Sequence, residues 1–546
     1  TTVLLISAVV LLSCVLAQRI SDKIGLPSLL LFMVLGMLCG SDGLLGISFQ
    51  DYELTEQVCS AALIFIMFYG GFGTNWKTAR PVAGKAVLLS TAGVVLTAAL
   101  TWAFCRFALR FSFYESFLVG AVISSTDAAS VFSILRSKKL ALKYGTASIL
   151  EIESGSNDPV AYMLTVICLT LMTGEQVSIP YLIFAQVVYG ALAGVLAALA
   201  GIWILEKFQD VLGDGRDIIL VTALVMLAYA VPSAVGGNGY LSVYLAGILM
   251  GNHRIPNKVP LVHFFDGITG LAQIVIFFLL GLLSFPHRIG LVLLPTLAIA
   301  GFLMLVARPL AVFVLMGPAG CRFRQCLLIS WAGLRGAASI VFAITAMASG
   351  AVLESDLFHI VFMISILSVL IQGTLLPRIS RGLQMVDDDT DINKTFTDYQ
   401  EESAMTLMRM QIPRGHNWEN QKVSQVGMPT GSLALMIKRG EETIIPRGDT
   451  VIRAGDSMIL SVPGYEETEE MNLEEVTVDD AHEWRGKTIE QLQLPQEALV
   501  VLTKRGTESI IPTGKTRIQA QDILVMYRQG DGAGEDRGES EGEVVG

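Results

Sequence analysis

Hydrophobic positions run in long, nearly unbroken blocks through the first 385 residues and in short alternating runs after them. The blocks lie near 2–18, 26–40, 58–74, 86–108, 114–135, 147–173, 180–207, 217–233, 240–251, 261–284, 289–316, 324–349 and 357–379. Blocks of this length suit helices crossing a hydrocarbon core roughly 30 Å thick. The second and ninth are short, which predicts tilting or a break. The pattern predicts an all-α polytopic membrane domain over 1–385 with about 13 transmembrane helices.

Beyond it the period changes. "SLALMI" and "EALVVLT" alternate apolar and polar residues between Gly/Pro turns, the mark of short β-strands. "KRGEETIIPRGDTVIRAGDSMIL" (438–460) aligns without gaps to "KRGTESIIPTGKTRIQAQDILVM" (504–526), an offset of 66 residues. The pattern predicts a charged linker at 386–400 and a small α+β tail of two similar modules, 401–464 and 465–529. The Gly/Glu-rich end, 530–546, has the composition of disordered chain.

Charge divides at the same place. Residues 386–546 hold 16 Lys+Arg against 31 Asp+Glu, a net −15, and the membrane part is left at +4. An acidic tail is the wrong partner for nucleic acid, which needs a basic face. Within the membrane part, alternate loops carry 17 Lys and Arg, from "QRISDK" to "LPRISRG". The opposite loops carry three: Arg106, Arg110 and Arg288. This bias predicts an outer N-terminus, a cytosolic tail and an odd number of spans. All seven cysteines lie in the apolar blocks without a C-x-x-C pair, which predicts buried thiols rather than disulfides or zinc.

Polar residues inside two blocks mark the candidate chemistry. In "EIESGSNDPVAY" (151–162), Glu153, Ser154, Asn157 and Asp158 are three or four apart and share one helix face. Pro159 cannot donate an amide, so the carbonyl of Gly155 loses its helical partner. Intramembrane carboxylates carry an insertion penalty of about 2.5–3.5 kcal/mol each, so function is their default explanation. In "GAVISSTDAASVF" the consecutive Ser124, Ser125, Thr126 and Asp127 predict unwound backbone, tolerated only where it lines a cavity. These hydroxyls, carbonyls and carboxylates are hard oxygen ligands suited to a small cation. "SWAGLRGAASIVF" places Arg335 between glycines in the twelfth block, and a buried Arg wants a carboxylate; Glu153 matches in type and depth. The expectation is a structural Glu153–Arg335 ion pair that keeps Glu153 out of the exchange. Both interrupted blocks carry "AAS" just after the break, seven blocks apart, the pointer to inverted repeats with two broken helices that cross. Asp266 and Gln273 are candidates to line the same cavity, and Glu151 has no assigned role.

"SSTDAASVFSIL", "ESGSNDPVAY" and "GLRGAAS", in that order, closely resemble the bacterial NhaP-type monovalent cation/proton antiporters, relatives of the sodium/hydrogen exchangers. The resemblance covers the membrane part nearly end to end. It implies a homodimer in the bacterial inner membrane, working by elevator-type alternating access as a transporter and not an enzyme. It implies an ion site at Thr126, Asp127, Asn157 and Asp158 with Ser154 as a further ligand. Asp158 would take a proton or a cation in competition, K+ favoured and Na+ the alternative. An Asn-Asp pair in place of two Asp implies electroneutral one-for-one exchange. Relatives often have an acidic residue in the third span, and "FIMFYGGFGTNW" has none. The tail resembles RCK-C/TrkA-C regulatory modules, which implies no bound cofactor and, by analogy, a small regulatory ligand such as cyclic di-AMP. The rivals are a tail-gated cation channel or uniporter and, remotely, an intramembrane aspartyl protease using Asp127 and Asp158; the G-x-G-D motif such proteases share is absent.

Overall fold

The computed structural model describes residues 8–387 and 405–528, apart from 18, 20–26, 139, 175–176, 209–214, 254, 257, 429–431, 441, 464–471, 480–481, 493, 495–497, 506–507 and 511. Most of the expected linker and all of the expected disordered end lie outside the described residues. The chain forms two compact units, one up to Gln400 and one from Glu401.

The first unit is helical. It opens with α1 (Ala8–Ala17), α2 (Ser28–Cys39) and α3 (Tyr52–Gly73). Next come α4 (Trp76–Leu88) and α5 (Val94–Phe107), joined without a loop by the π-helical turn Leu89–Gly93. A break separates α6 (Phe113–Val122) from α7 (Ala128–Ser137), and α8 (Thr146–Thr173) runs unbroken through Pro159. Then follow α9 (Ile179–Lys207), α10 (Arg216–Ala234), α11 (Gly239–Gly251) and α12 (Lys258–Leu283). A second π turn, Leu303–Ala307, joins α13 (Pro286–Phe302) to α14 (Arg308–Met316). A second break separates α15 (Phe323–Trp331) from α16 (Ala337–Ala348). The last π turn, Ser368–Gly373, joins α17 (Leu357–Leu367) to α18 (Thr374–Gly382). Among the described residues seven helices are long and apolar enough to cross a membrane. Both expected breaks are present, at 123–127 and 332–336, and in each the helix restarts on the first Ala of "AAS".

Small residues let these helices pack backbone to backbone, as in membranes generally. A Cβ on Gly247 would stand 2.4 Å from the Phe68 carbonyl oxygen and one on Gly251 2.1 Å from that of Phe72, so α11 lies directly against α3. The seven cysteines are free, and five of them are buried. At the end of the helical unit, β1 (Ala141–Leu142) pairs antiparallel with β2 (Val386–Asp387), and the Lys143 amide donates to the Met385 carbonyl at 2.9 Å. The start of the expected linker is therefore strand, fastened to the α7–α8 loop.

The second unit holds two like modules. In the first, β3 (Met405–Gln411), β4 (Leu433–Arg439), β5 (Glu442–Ile444) and β6 (Ser457–Pro463) form an antiparallel sheet in the order β3-β6-β4-β5. In the second, β7 (Asn472–Thr477), β8 (Ala498–Arg505), β9 (Glu508–Ile510) and β10 (Ile523–Arg528) repeat it as β7-β10-β8-β9. Where an α+β module was expected, the helical content among the described residues is one 3₁₀ turn, Ile489–Leu492. Gly and Pro interrupt the chain too often for an α-helix to extend.

The repeat extends to side chains. Arg439 grips the buried Asp456 through Nε at 2.8 Å and Nη2 at 2.7 Å, and Arg505 grips the buried Asp522 with the same two distances. Burial would raise the Asp456 carboxyl, yet the Arg439 fork and the Arg453 amide hold it below the usual carboxylate range. The Arg505 fork and the Gln519 amide do the same for Asp522, against the effect of its burial. Removing one partner of a buried pair strands the other charge, at about 3 kcal/mol. Arg439→Met should therefore speed amide exchange in β4 and β6, and Arg505→Met in β8 and β10, each sparing the other module. Because both folded-state values are depressed, this stabilisation is full above the ordinary carboxylate value near ~4 and is lost as pH falls through the depressed values. Hydrogen exchange of the intact protein against pH measures both effects.

Candidate functional site

The two breaks meet. The Asp127 amide donates to the Leu334 carbonyl at 2.8 Å, joining the unwound segment after α6 to the one before α16. The contact needs glycine at 336: a Cβ there would stand 2.3 Å from Asp127 Oδ2 and 2.4 Å from its Cβ. Interrupting two helices side by side leaves their dipole ends facing each other inside the membrane. The carbonyls at the end of α6 form a negative end, and Arg335 Nη1 donates to Ser124 O at 2.8 Å and Ser125 O at 2.7 Å. The amides at the start of α7 form a positive end. There Asp127 accepts from the Ser130 amide at 3.3 Å and from the Ser130 hydroxyl. Arg335 is held in turn by the Ser368 hydroxyl, which accepts from its amide at 3.0 Å and donates to Gln372 Oε1 at 2.6 Å.

Helix α8 brings its polar face against this crossing. The Ser154 hydroxyl donates to the Thr126 carbonyl at 2.9 Å. The Asn157 amide donates to the Thr126 hydroxyl, and the Ser125 hydroxyl donates to Asp158 Oδ1. Asn157 Oδ1 is buried without a hydrogen-bond partner among the described residues. Gly155 lets α8 approach the Tyr244 ring, whose Cε2 would stand 2.3 Å from an added Cβ.

One correction follows. Glu153 makes its ion pair with Arg308, Oε1 to Nη2 at 2.5 Å, both side chains at most 3% exposed. The expected Glu153–Arg335 pair is replaced because the guanidinium of Arg335 is engaged by the α6 carbonyls. Arg308 is the first residue of α14, directly after the π turn, and Gly333 lets the unwound backbone close on it, an added Cβ falling 2.8 Å from its Nε. Sequence reasoning missed Arg308, although a lone Arg within the eleventh apolar block was a visible signal.

A cavity of about 590 Å³ ends at the crossing. Ser125, Thr126, Asp127, Ser154 and Asp158 line it, so four of the five expected ion ligands, with Ser125 besides, face one space. Asn157 does not line it; its amide orients Thr126 from behind. Asp266, Thr269 and Gln273 form the α12 wall, and Glu151, which had no role, lines the cavity one turn of α8 before Ser154. The arrangement offers two carboxylates and several neutral oxygens, with no buried Arg or Lys in direct contact with Asp158 among the described residues. It suits a monovalent cation or a proton.

Residues 7–382 match the family described as "Sodium/hydrogen exchanger, transmembrane", and residues 407–464 and 473–533 match the TrkA-C domain. The chain is 38% identical over 387 residues to the K(+)/H(+) antiporter NhaP of Alkalimonas amylolytica, covering 70% of this chain and 67% of that protein. It is 34% identical over 473 residues to the K(+)/H(+) antiporter NhaP2 of Shewanella oneidensis, covering 85% and 81%. The fold is that of the sodium proton antiporter MjNhaP1 from Methanocaldococcus jannaschii, with a TM-score of 0.62 at 22% identity over 70% of this chain and 99% of that one.

Arg308→Met strands Glu153 in the membrane interior and should destabilise the protein by about 3–5 kcal/mol, whereas Glu153→Gln combined with Arg308→Met should recover most of the loss. Unfolding of the purified protein in detergent, followed for the four members of this cycle, measures the coupling.

Proposed function

The chain belongs to the sodium/hydrogen exchanger family and is a cation/proton antiporter, and on that premise we propose that it exchanges K+ for H+ one for one at Asp158. The observation that carries this is how charge is arranged at the crossing. Asp127 and Arg335 each sit on a dipole end, and Glu153 is matched by Arg308. Asp158 is left with a serine hydroxyl as its hydrogen-bond partner and with the cavity. A bare carboxylate is expensive to carry through a low-dielectric interior. It travels only when neutralised, by a proton or by a cation that Thr126, Ser154 and Asp127 help to hold. One carboxylate accepting one or the other gives competition and a one-for-one exchange. K+ is favoured over Na+ because the more similar relatives are named K(+)/H(+) antiporters.

Movement is by an elevator-like shift of the crossing helices and α8 within a homodimer of thirteen-span subunits. The π turns support two halves of inverted orientation: taking α4–α5 as the fourth span and α13–α14 as the eleventh, spans seven apart share a π turn, as the fifth and twelfth share a break. Loop charge places the cavity on the cytosolic side, since it is lined from the α8 end nearest the basic "RSKKLALK" loop. The tail modulates exchange, with a small ligand such as a cyclic dinucleotide on its TrkA-C modules. The β1–β2 pairing supports this, because it fastens the chain leading to the tail onto the loop between α7 and α8.

Asp158→Asn should abolish cation-dependent proton flux in proteoliposomes at matched protein level. Retention of K+- or Na+-driven dissipation of a preset pH gradient by that variant would refute the assignment. Breaking the β1–β2 pairing with Leu142→Pro should make exchange insensitive to removal of residues 405–546, at a rate measured in the same vesicles.

A further inference from the structure

Three helices that line the cavity carry a second group of polar and aromatic residues farther along, on the side away from it. On α8 the last cavity residue is Asp158, and Tyr162 follows one turn later, about 6 Å along the axis. On α16 the cavity touches Ala337 and Ala338, and Phe342 and Thr345 lie beyond them. On α3 the first cavity residue is Leu63, and Ser60 and Glu56 precede it, Glu56 by about 10 Å. Residues from separate helices come together there. The Tyr162 ring is 4.9 Å from that of Tyr240 and 5.6 Å from that of Phe342, and Tyr240 and Phe342 are 6.0 Å apart. Tyr240 and Phe342 are at most 1% exposed. Beyond the rings Glu56 Oε1 accepts from the Ser60 hydroxyl at 2.9 Å and from the Thr345 hydroxyl at 3.5 Å. The Glu56 charge also acts on Tyr162.

We propose that Tyr162, Tyr240 and Phe342 form the closed seal on the face away from the cavity, and that Glu56, latched to Thr345 of α16, is the carboxylate that cations and protons meet on that face. The inference rests on the exchange function proposed above and adds residues that function does not use. The physical case is continuity. Asp158 is reached from one side through the cavity, and exchange requires that it also be reached from the other. The polar line leading that way within these helices runs from Tyr162 past Tyr240 to Ser60 and Glu56. The aromatic rings keep that line shut in this conformation. The bond between Glu56 and Thr345 joins α3 to α16, so it must break when α16 moves. Glu56 then becomes free to bind a cation at the moment the seal parts. The chain thus has an acidic residue on its third long helix after all, displaced towards the opposite face from "FIMFYGGFGTNW".

The test is sided flux. Glu56→Gln should raise the apparent KM for K+ supplied on the face away from the cavity about fivefold or more and leave the KM on the cavity face within about twofold. Right-side-out and everted vesicles present the two faces. Glu56→Asp should restore the sided KM, which a merely structural role would not do. Phe342→Ala should open a proton leak that needs no added cation, with Phe342→Leu as the milder variant should the first not fold. KM changes equal on both faces, or tight membranes in both Phe342 variants, would overturn the proposal while leaving the exchange function standing. Absence of cation-dependent flux in the wild-type protein would overturn both.

Discussion

Everything at the site depends on the way two interrupted helices expose their dipole ends to each other. Unwound backbone is tolerable inside a membrane only if its groups are satisfied by protein or cavity. Here Arg335 occupies the carbonyl end of α6 and Asp127 the amide end of α7. Gly336 and Gly155 are small because backbone and ring must close to contact around this point. The opposite charges of Arg335 and Asp127 are part of the scaffold in the same sense as a capping residue. Asp158 differs from them in having no such duty.

The second ion pair serves the same end. Glu153 lies one turn before Asn157 on the face that presents Asp158, and an unmatched charge there would compete for any cation entering the cavity. Arg308 removes it from contention. The placement of Arg308 follows from the π turn before it, which takes in one more residue than an α turn and so changes the direction in which the next side chain leaves the helix. Net charge near the crossing is thereby left to the occupant of Asp158.

Much of this was legible in the sequence. The breaks could be read because four polar residues in a row, or an Arg between glycines, cannot stay helical in lipid. The α8 face could be read because three- and four-residue spacings bring side chains together. The tail repeat was visible down to its ion pairs, since Arg439 and Asp456 recur at Arg505 and Asp522 with the same offset. Pairing was not legible. Glu153 had two buried arginines within reach of its type, and which one it meets is set by a π turn that leaves no residue signature. The β1–β2 contact was hidden for a similar reason: two residues on each strand are too few for an alternating pattern to show.

The π turns also bear on the history of the chain. A π turn is the usual trace of a one-residue insertion accommodated within a helix. Taken as the fourth and eleventh spans, α4–α5 and α13–α14 carry one each, at Leu89–Gly93 and Leu303–Ala307, and each turn packs near the partner span, the first against α14 and the second against α5. If the halves descend from one ancestral unit, a single insertion before the duplication accounts for both turns. The copies then diverged in what they carry: the later one gained or kept Arg308 immediately after its turn, where the earlier has Val94. An ancestral irregularity of the backbone, repeated by duplication, would in that case have supplied the angle at which one half now neutralises the ion helix of the other.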